Sequence, residues 1–238
     1  MTSGMTEHAP GQTVLTRELL LEGRLAEMAS RAVPDMRLLT DAERAESLAA
    51  TLAARPGGGG AWLFAYGSLI WNPTIHFTER RVATVQGWRR AFCLTVRAGR
   101  GTPDNPGLVL GLDRGGHCAG AAFWIAEDVL EAELSLLWRR EMLSGAYLPR
   151  WIDVFGDAAT EPFGQAIAFT IDPAGPHYAG DLAEAEVVRR LATATGQLGS
   201  AADYLFRTRA GLHSLGIPDP DLDRLADAVA AAQAVDPP

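Results

Sequence analysis

The chain has 238 residues, 47% of them apolar and 21% charged, enough for a folded domain with a sizeable core. A net charge of −8 and a pI near 5.1 argue against nucleic-acid or anionic-membrane partners, which need a basic surface. No run approaches the ~20 apolar residues of a membrane span, no secretory signal is read from Met1 to Gly11, and two cysteines without a CxxC suit a reduced cytoplasm.

In chain order, residues 1–14 are expected to be disordered. Leu15 to about Ala32 reads as a helix that Gly23 weakens. Thr40 and Glu43 form a capping box, and Ala45, Leu48, Ala49 and Leu52 then recur at helical spacing. Arg55-Pro56 and the run Gly57–Gly60 end that helix. Residues 1–58 are therefore expected to be a helical N-terminal extension and linker without chemistry of its own. Residues 60–235 are expected to be the main domain.

Trp62-Leu63-Phe64-Ala65-Tyr66 is a short apolar run of the kind that makes a buried strand. Gly67 and Ser68 interrupt it, and a turn there can aim successive backbone N–H groups at one point. An ordinary turn after a core strand is the plainer reading. Four further strands are expected at Val82–Val85, Ala91–Val96, Gly107–Leu112 and Ala119–Ile125, separated by glycine- and proline-rich turns. Short strands with few helices between them predict a small barrel or strongly curved sheet. Cys93 and Cys118 fall in apolar strand patterns and read as packing residues.

Asp128 is placed to cap a helix from Val129 to about Ser144. At roughly 100° per residue, Leu130, Leu134, Leu137 and Trp138 share one face, and Glu141 falls on it. Arg140 falls well off that stripe. A carboxylate aimed into a core is costly, and desolvation raises its pKa. Glu141 is thus a functional candidate, a frayed helix end, or the partner of a buried cation. Strands follow at Ile152–Phe155 and Gln165–Ile171. Three helices are then expected: one capped by Asp181 with Glu184, one from Ala202 to Leu215 stopped by Gly216, and one opened by Asp219-Pro220. The five histidines are scattered and no metal-ligand spacing occurs, so no metal site is expected.

Several of these stretches resemble one family. Tyr66-Gly67-Ser68-Leu69-Ile70-Trp71-Asn72-Pro73 is similar to the signature of the ChaC family of γ-glutamylcyclotransferases. Gly87-Trp88-Arg89-Arg90-Ala91-Phe92-Cys93, Arg100-Gly101-Thr102 with Pro106-Gly107, and Cys118 to Phe123 resemble later family segments. Arg140-Glu141 with Gly145 and Tyr147 resembles the motif carrying its catalytic glutamate. The resemblance implies an α+β fold, a γ-glutamylcyclotransferase-like small barrel or curved sheet with surrounding helices. It implies cleavage of glutathione to 5-oxoproline and Cys-Gly, with Glu141 as general acid/base and no cofactor. It also implies substrate contacts at Ala65, Tyr66, Gly67, Ser68, Leu69, Ile70 and Tyr147. Other γ-glutamyl compounds as substrates, or a non-catalytic binding module on the same fold, stand as alternatives. A serine hydrolase built on Ser68 would need a histidine base, and no GxSxG frames that residue.

Overall fold

A computed structural model describes residues 13–180 and 182–235. Five strands close into a barrel in the order β1-β3-β2-β4-β5, with β5 pairing back onto β1 and β3. They are β1 (Ala61–Ala65), β2 (Glu79–Val96), β3 (Gly107–Ile125), β4 (Tyr147–Phe155) and β5 (Pro162–Ile171). Every residue of β1 is buried, which is why its sequence is continuously apolar instead of alternating. It pairs antiparallel with β3 (Leu63 opposite Phe123) and parallel with β5 (Leu63 opposite Ile167).

The four short strands expected between 82 and 125 are two long ones. Gly87, Gly115 and Gly116 all have positive φ, and there the β2–β3 register shifts between Gln86 and Trp88 without breaking the hairpin. Such a bulge bends both strands and supplies the curvature a barrel needs to close. Glycines that read as turns are corners inside strands.

Seven helices surround the barrel among the described residues: α1 (Arg17–Leu21), α2 (Arg24–Ala32), α3 (Asp41–Ala53), α4 (Leu130–Glu141), α5 (Glu184–Thr193), α6 (Ala201–Ser214) and α7 (Pro220–Val235). Gly23, at φ +72°, splits the single helix expected over 15–32 into α1 and α2. The Thr40–Glu43 capping box forms as expected. Asp219 accepts the Leu222 N–H at 3.0 Å and caps α7. Asp128 does not cap α4, whose first turn follows Val129 without a side-chain cap. Asp181 lies outside the described residues, and α5 starts after Ala183 without a side-chain cap. Expected disorder over 1–14 falls mostly outside the described residues, but Thr13 donates its backbone N–H to Gln197 O at 2.9 Å.

Helix α4 is covered on more than one face. Leu130, Leu134, Leu137 and Trp138 are buried, as their spacing predicts, and so are Glu133 and Arg140. Trp138 stacks edge-on against Phe169 of the barrel, while its Nε1–H reaches Ser47 Oγ of α3 at 3.1 Å. Arg17 of α1 closes a two-pronged ion pair on Glu133, with Nη1 and Nη2 at 2.6 and 2.7 Å from the carboxylate oxygens. The same carboxylate accepts the His76 N–H at 2.9 Å. Burial pushes the Glu133 pKa up, but these donors outweigh burial and hold it below the usual carboxylate value.

This pair predicts an acid-sensitive attachment of α1. Arg17→Met leaves a buried carboxylate without its cation and should cost about 3–5 kcal/mol at pH 7. A carboxyl whose pKa is depressed on folding stabilises above its ordinary value of 4.5 and loses that contribution as pH falls through the folded value. The variant's deficit, read from urea unfolding, should therefore shrink below about pH 4.5. A deficit equal at pH 7 and pH 3 contradicts the assignment.

Candidate active site

Strand β1 delivers the chain to Tyr66, after which Ser68–Ile70 forms one turn of 3-10 helix. Gly67 is required at the corner. A Cβ there would lie 2.7 Å from the Tyr204 hydroxyl of α6, closer than packed atoms approach. Arg90, from the Gly87–Cys93 stretch, holds this loop from below: its Nε donates to Tyr66 O at 2.6 Å and its Nη2 to Ala119 O at 2.5 Å. A third arm pairs with Asp219 at the start of α7. Arg90 is thus a buried clamp between the loop, β3 and the last helix.

A cavity of about 240 Å³ opens beside this loop, and Glu141, Arg140, Ser68 and Tyr147 all line it. Arg140 is the centre of the group. Its Nε pairs with Glu141 Oε1 at 2.9 Å, its Nη2 donates to Ser68 Oγ at 2.8 Å, and its Nη1 donates to Asn72 O at 2.5 Å and Thr74 Oγ1 at 3.1 Å. Thr74 has φ +57°, a conformation rare for a β-branched residue, and such strain persists only where surrounding contacts enforce it. Arg140 on its hydroxyl and Arg17 on its carbonyl, at 3.2 Å, supply those contacts.

Glu141 is the last residue of α4, and its side chain, 13% exposed, lines the cavity. Burial raises its pKa, and the Arg140 guanidinium offsets part of that rise, leaving the carboxyl above its usual value of 4.5. Two sequence readings of Glu141 are therefore true together: it aims inward, and it is paired with a buried cation. Arg140, placed off the stripe by periodicity, is as much a part of the site as Glu141. Adjacent helical side chains diverge, so only the long arginine arm brings the two together.

The other expected substrate contacts divide. Ser68 and Tyr147 line the cavity; Tyr147 donates its hydroxyl to Leu110 O at 2.8 Å, which fixes the ring. Ala65 ends β1 opposite Ala121 and is fully buried. The Tyr66 hydroxyl donates to Phe169 O at 2.6 Å inside the barrel, so that side chain is core. Leu69 and Ile70 are also buried, and the Ile70 N–H is already bonded to Gly67 O at 3.0 Å. The side chains of Ala65, Tyr66, Leu69 and Ile70 are therefore packing residues, and the Ile70 amide is occupied within the loop.

A second charged group also lines the cavity. Arg100 donates to Asp203 at 2.7 Å and to Ser200 O at 3.0 Å, and Arg207 reaches the other Asp203 oxygen at 2.8 Å. The Arg100-Gly101-Thr102 resemblance pointed to this stretch without giving Arg100 a role. No histidine lines the cavity among the described residues, so Ser68 lacks the base a hydrolase triad requires. Cys93 and Cys118 are buried and unpaired, and burial pushes the Cys93 thiol up to about 12. Among the described residues no three His, Cys, Asp or Glu side chains gather to hold a metal ion, and no helix is long and apolar enough to cross a membrane.

Fold and site define an α+β barrel protein in which a buried carboxylate–guanidinium pair lines a cavity of about 240 Å³. The ChaC-like protein family matches residues 61–232. A glutathione-specific γ-glutamylcyclotransferase of Escherichia coli is 43% identical over 213 residues, covering 89% of this chain and 90% of that protein. A glutathione-specific γ-glutamylcyclotransferase 1 of Danio rerio is 31% identical over 69% of this chain and 85% of its own. A crystal structure of a yeast γ-glutamyl cyclotransferase specific to glutathione shares the fold, with a TM-score of 0.66 at 20% identity over 73% of this chain and 97% of that one. The chain belongs to the ChaC-like family.

The contact at Gly67 is testable. Gly67→Ala should destabilise the protein by about 1–3 kcal/mol, the usual cost of forcing an extra methyl into a packed site. Tyr204→Phe in the same chain removes the obstructing hydroxyl and should recover part of the loss in thermal melts. A Gly67→Ala protein as stable as its parent contradicts the close approach.

Proposed function

We propose that this protein cleaves glutathione by cyclising its γ-glutamyl group, releasing 5-oxoproline and Cys-Gly. The observation that carries the reading is the Glu141 carboxyl, desolvated yet open to the cavity and held by Arg140 beside the Ser68 loop. The names of the two relatives support the same reaction and substrate.

In this reaction the nucleophile belongs to the substrate. Its α-ammonium must first lose a proton, because only the free amine has a lone pair. Glu141, as carboxylate, takes that proton. The amine nitrogen then attacks the γ-carbonyl carbon, and the bond from that carbon to the cysteine nitrogen breaks. The proton held on Glu141 goes to the departing nitrogen; the ring nitrogen's second proton then passes through the freed Glu141 carboxylate to the same amine, so 5-oxoproline leaves as the neutral lactam and Cys-Gly as its ammonium form. No water is consumed and no enzyme nucleophile forms. A carboxyl with a raised pKa suits both steps, being a stronger base first and a readily recharged acid second. Arg140 fixes the Glu141 orientation and adds positive charge near the substrate's carboxylate. The Ser68 amide already faces the Tyr204 hydroxyl, which leaves the Leu69 amide of the 3-10 turn as a loop donor to meet a substrate oxygen. Holding the amine near its own carbonyl is a proximity effect. The two unpaired, buried cysteines suit a reducing cytoplasm, where we place the reaction.

Glu141→Gln keeps an oxygen for the Arg140 Nε–H but cannot accept the ammonium proton. Turnover of glutathione should fall about 10²–10⁴-fold, with substrate binding and melting temperature largely retained. Mass spectrometry in ¹⁸O-water separates the chemistry: cyclisation gives 5-oxoproline without label. Labelled glutamate would mean hydrolysis and would overturn the reading, as would a Glu141→Gln enzyme as fast as its parent.

A further inference from the structure

Residues 13–29 lie before the 61–232 stretch that carries the family match, and nothing in their sequence marks a site. Yet Leu15, Leu25, Met28 and Ala29 line the same cavity as Glu141. The segment is held in place by specific bonds. Thr13 is bonded to Gln197 O, and Asn72 donates its side-chain amide to Leu15 O at 2.9 Å. That Asn72 also gives its carbonyl to Arg140. Arg17 is paired with buried Glu133, and Arg139 donates to Leu21 O at 3.0 Å. Wall and acid–base pair therefore share one set of supports.

We propose that the segment Thr13–Ala29 forms the wall that selects what is attached to the γ-glutamyl group. The proposal rests on the cyclotransferase reading and replaces the expectation that this extension carries no chemistry. The argument is one of polarity. The γ-glutamyl end presents an ammonium, a carboxylate and the reacting carbonyl, and burying these against hydrocarbon is costly. Glu141, Arg140 and Ser68 offer them charges and hydrogen bonds. An aliphatic surface made by Leu15, Leu25 and Met28 suits the other part of the substrate, the departing amine and its side chain. A compact, weakly polar side chain such as that of cysteine fits such a wall. Met28 and Leu25 limit how large that side chain can be.

The test is selectivity in the full-length protein. Parent, Met28→Ala and Leu25→Ala are assayed for 5-oxoproline release from glutathione and from γ-glutamyl-phenylalanine. Both residues are only partly buried, so the variants should fold, which melting curves check. Shortening either side chain should raise kcat/KM for the bulky compound relative to glutathione by about tenfold, the scale on which an apolar pocket discriminates size. The change should appear in KM more than in kcat, as expected for contacts remote from the reacting atoms. An active parent with unmoved ratios in folded variants overturns this proposal alone. A parent that releases no 5-oxoproline overturns the underlying reading and this proposal with it. A second measurement needs no wall variant: hydrogen exchange of Glu141→Gln with and without glutathione. Slowed exchange over 13–29 together with the Ser68 loop supports the wall; protection of the loop without protection of 13–29 refutes it.

Discussion

A buried guanidinium is the constraint on which this site depends. Arg140 cannot shed its charge, so every N–H it brings out of water needs an acceptor. Glu141, Ser68, Asn72 and Thr74 provide them. Because those four come from the end of α4 and from the loop after β1, satisfying one cation fixes two elements against each other. A buried ion pair contributes little net stability unless its remaining hydrogen bonds are complete. Here each of the three guanidinium nitrogens has an acceptor, and what the arrangement secures is a carboxyl in a defined orientation at the cavity.

The barrel supplies the rigid part of this geometry. β1 is buried on all sides and pairs with both β3 and β5, so the residues following it have little freedom. Arg90 repeats the logic of Arg140 on the other side of the loop, spending its donors on Tyr66 O, Ala119 O and Asp219. The Ser68 loop thus lies between two buried arginines, one binding Tyr66 O from β2 and one binding Ser68, Asn72 and Thr74 from α4. Arg17 on Glu133 extends the pattern outward and ties the N-terminal helices to the same helix that carries Glu141.

What was legible in the sequence followed from local periodicity. The continuous apolar run of β1, the Thr40–Glu43 cap and the inward aim of Glu141 each reflect neighbours within a few residues. The barrel was legible as a class, from short apolar segments with few helices between them. The arginines were not. Arg90, Arg140 and Arg17 look like surface charges on any helical wheel or strand alternation, because their partners lie far along the chain: Ser68 is 72 residues from Arg140, and Glu133 is 116 from Arg17. Glycine was ambiguous for a related reason. The same residue type ends a strand, bends one at Gly87, or breaks a helix at Gly23, and only the pairing partner decides which. The wall at 13–29 was illegible because lining a cavity requires the cavity's other sides, which begin far along the chain at Ser68.

The central claim is that Glu141 is a desolvated carboxyl poised against Arg140, and its own titration tests that most directly. Carbon-13 carboxyl NMR of the full-length protein, assigned by loss of the signal in Glu141→Gln, reads the midpoint without reference to turnover. Burial outweighing the guanidinium predicts a midpoint above the ordinary 4.5. Arg140→Gln, which removes the opposing charge, should raise it further. A midpoint at or below 4.5 in the parent, or one that does not respond to the loss of Arg140, would contradict the account.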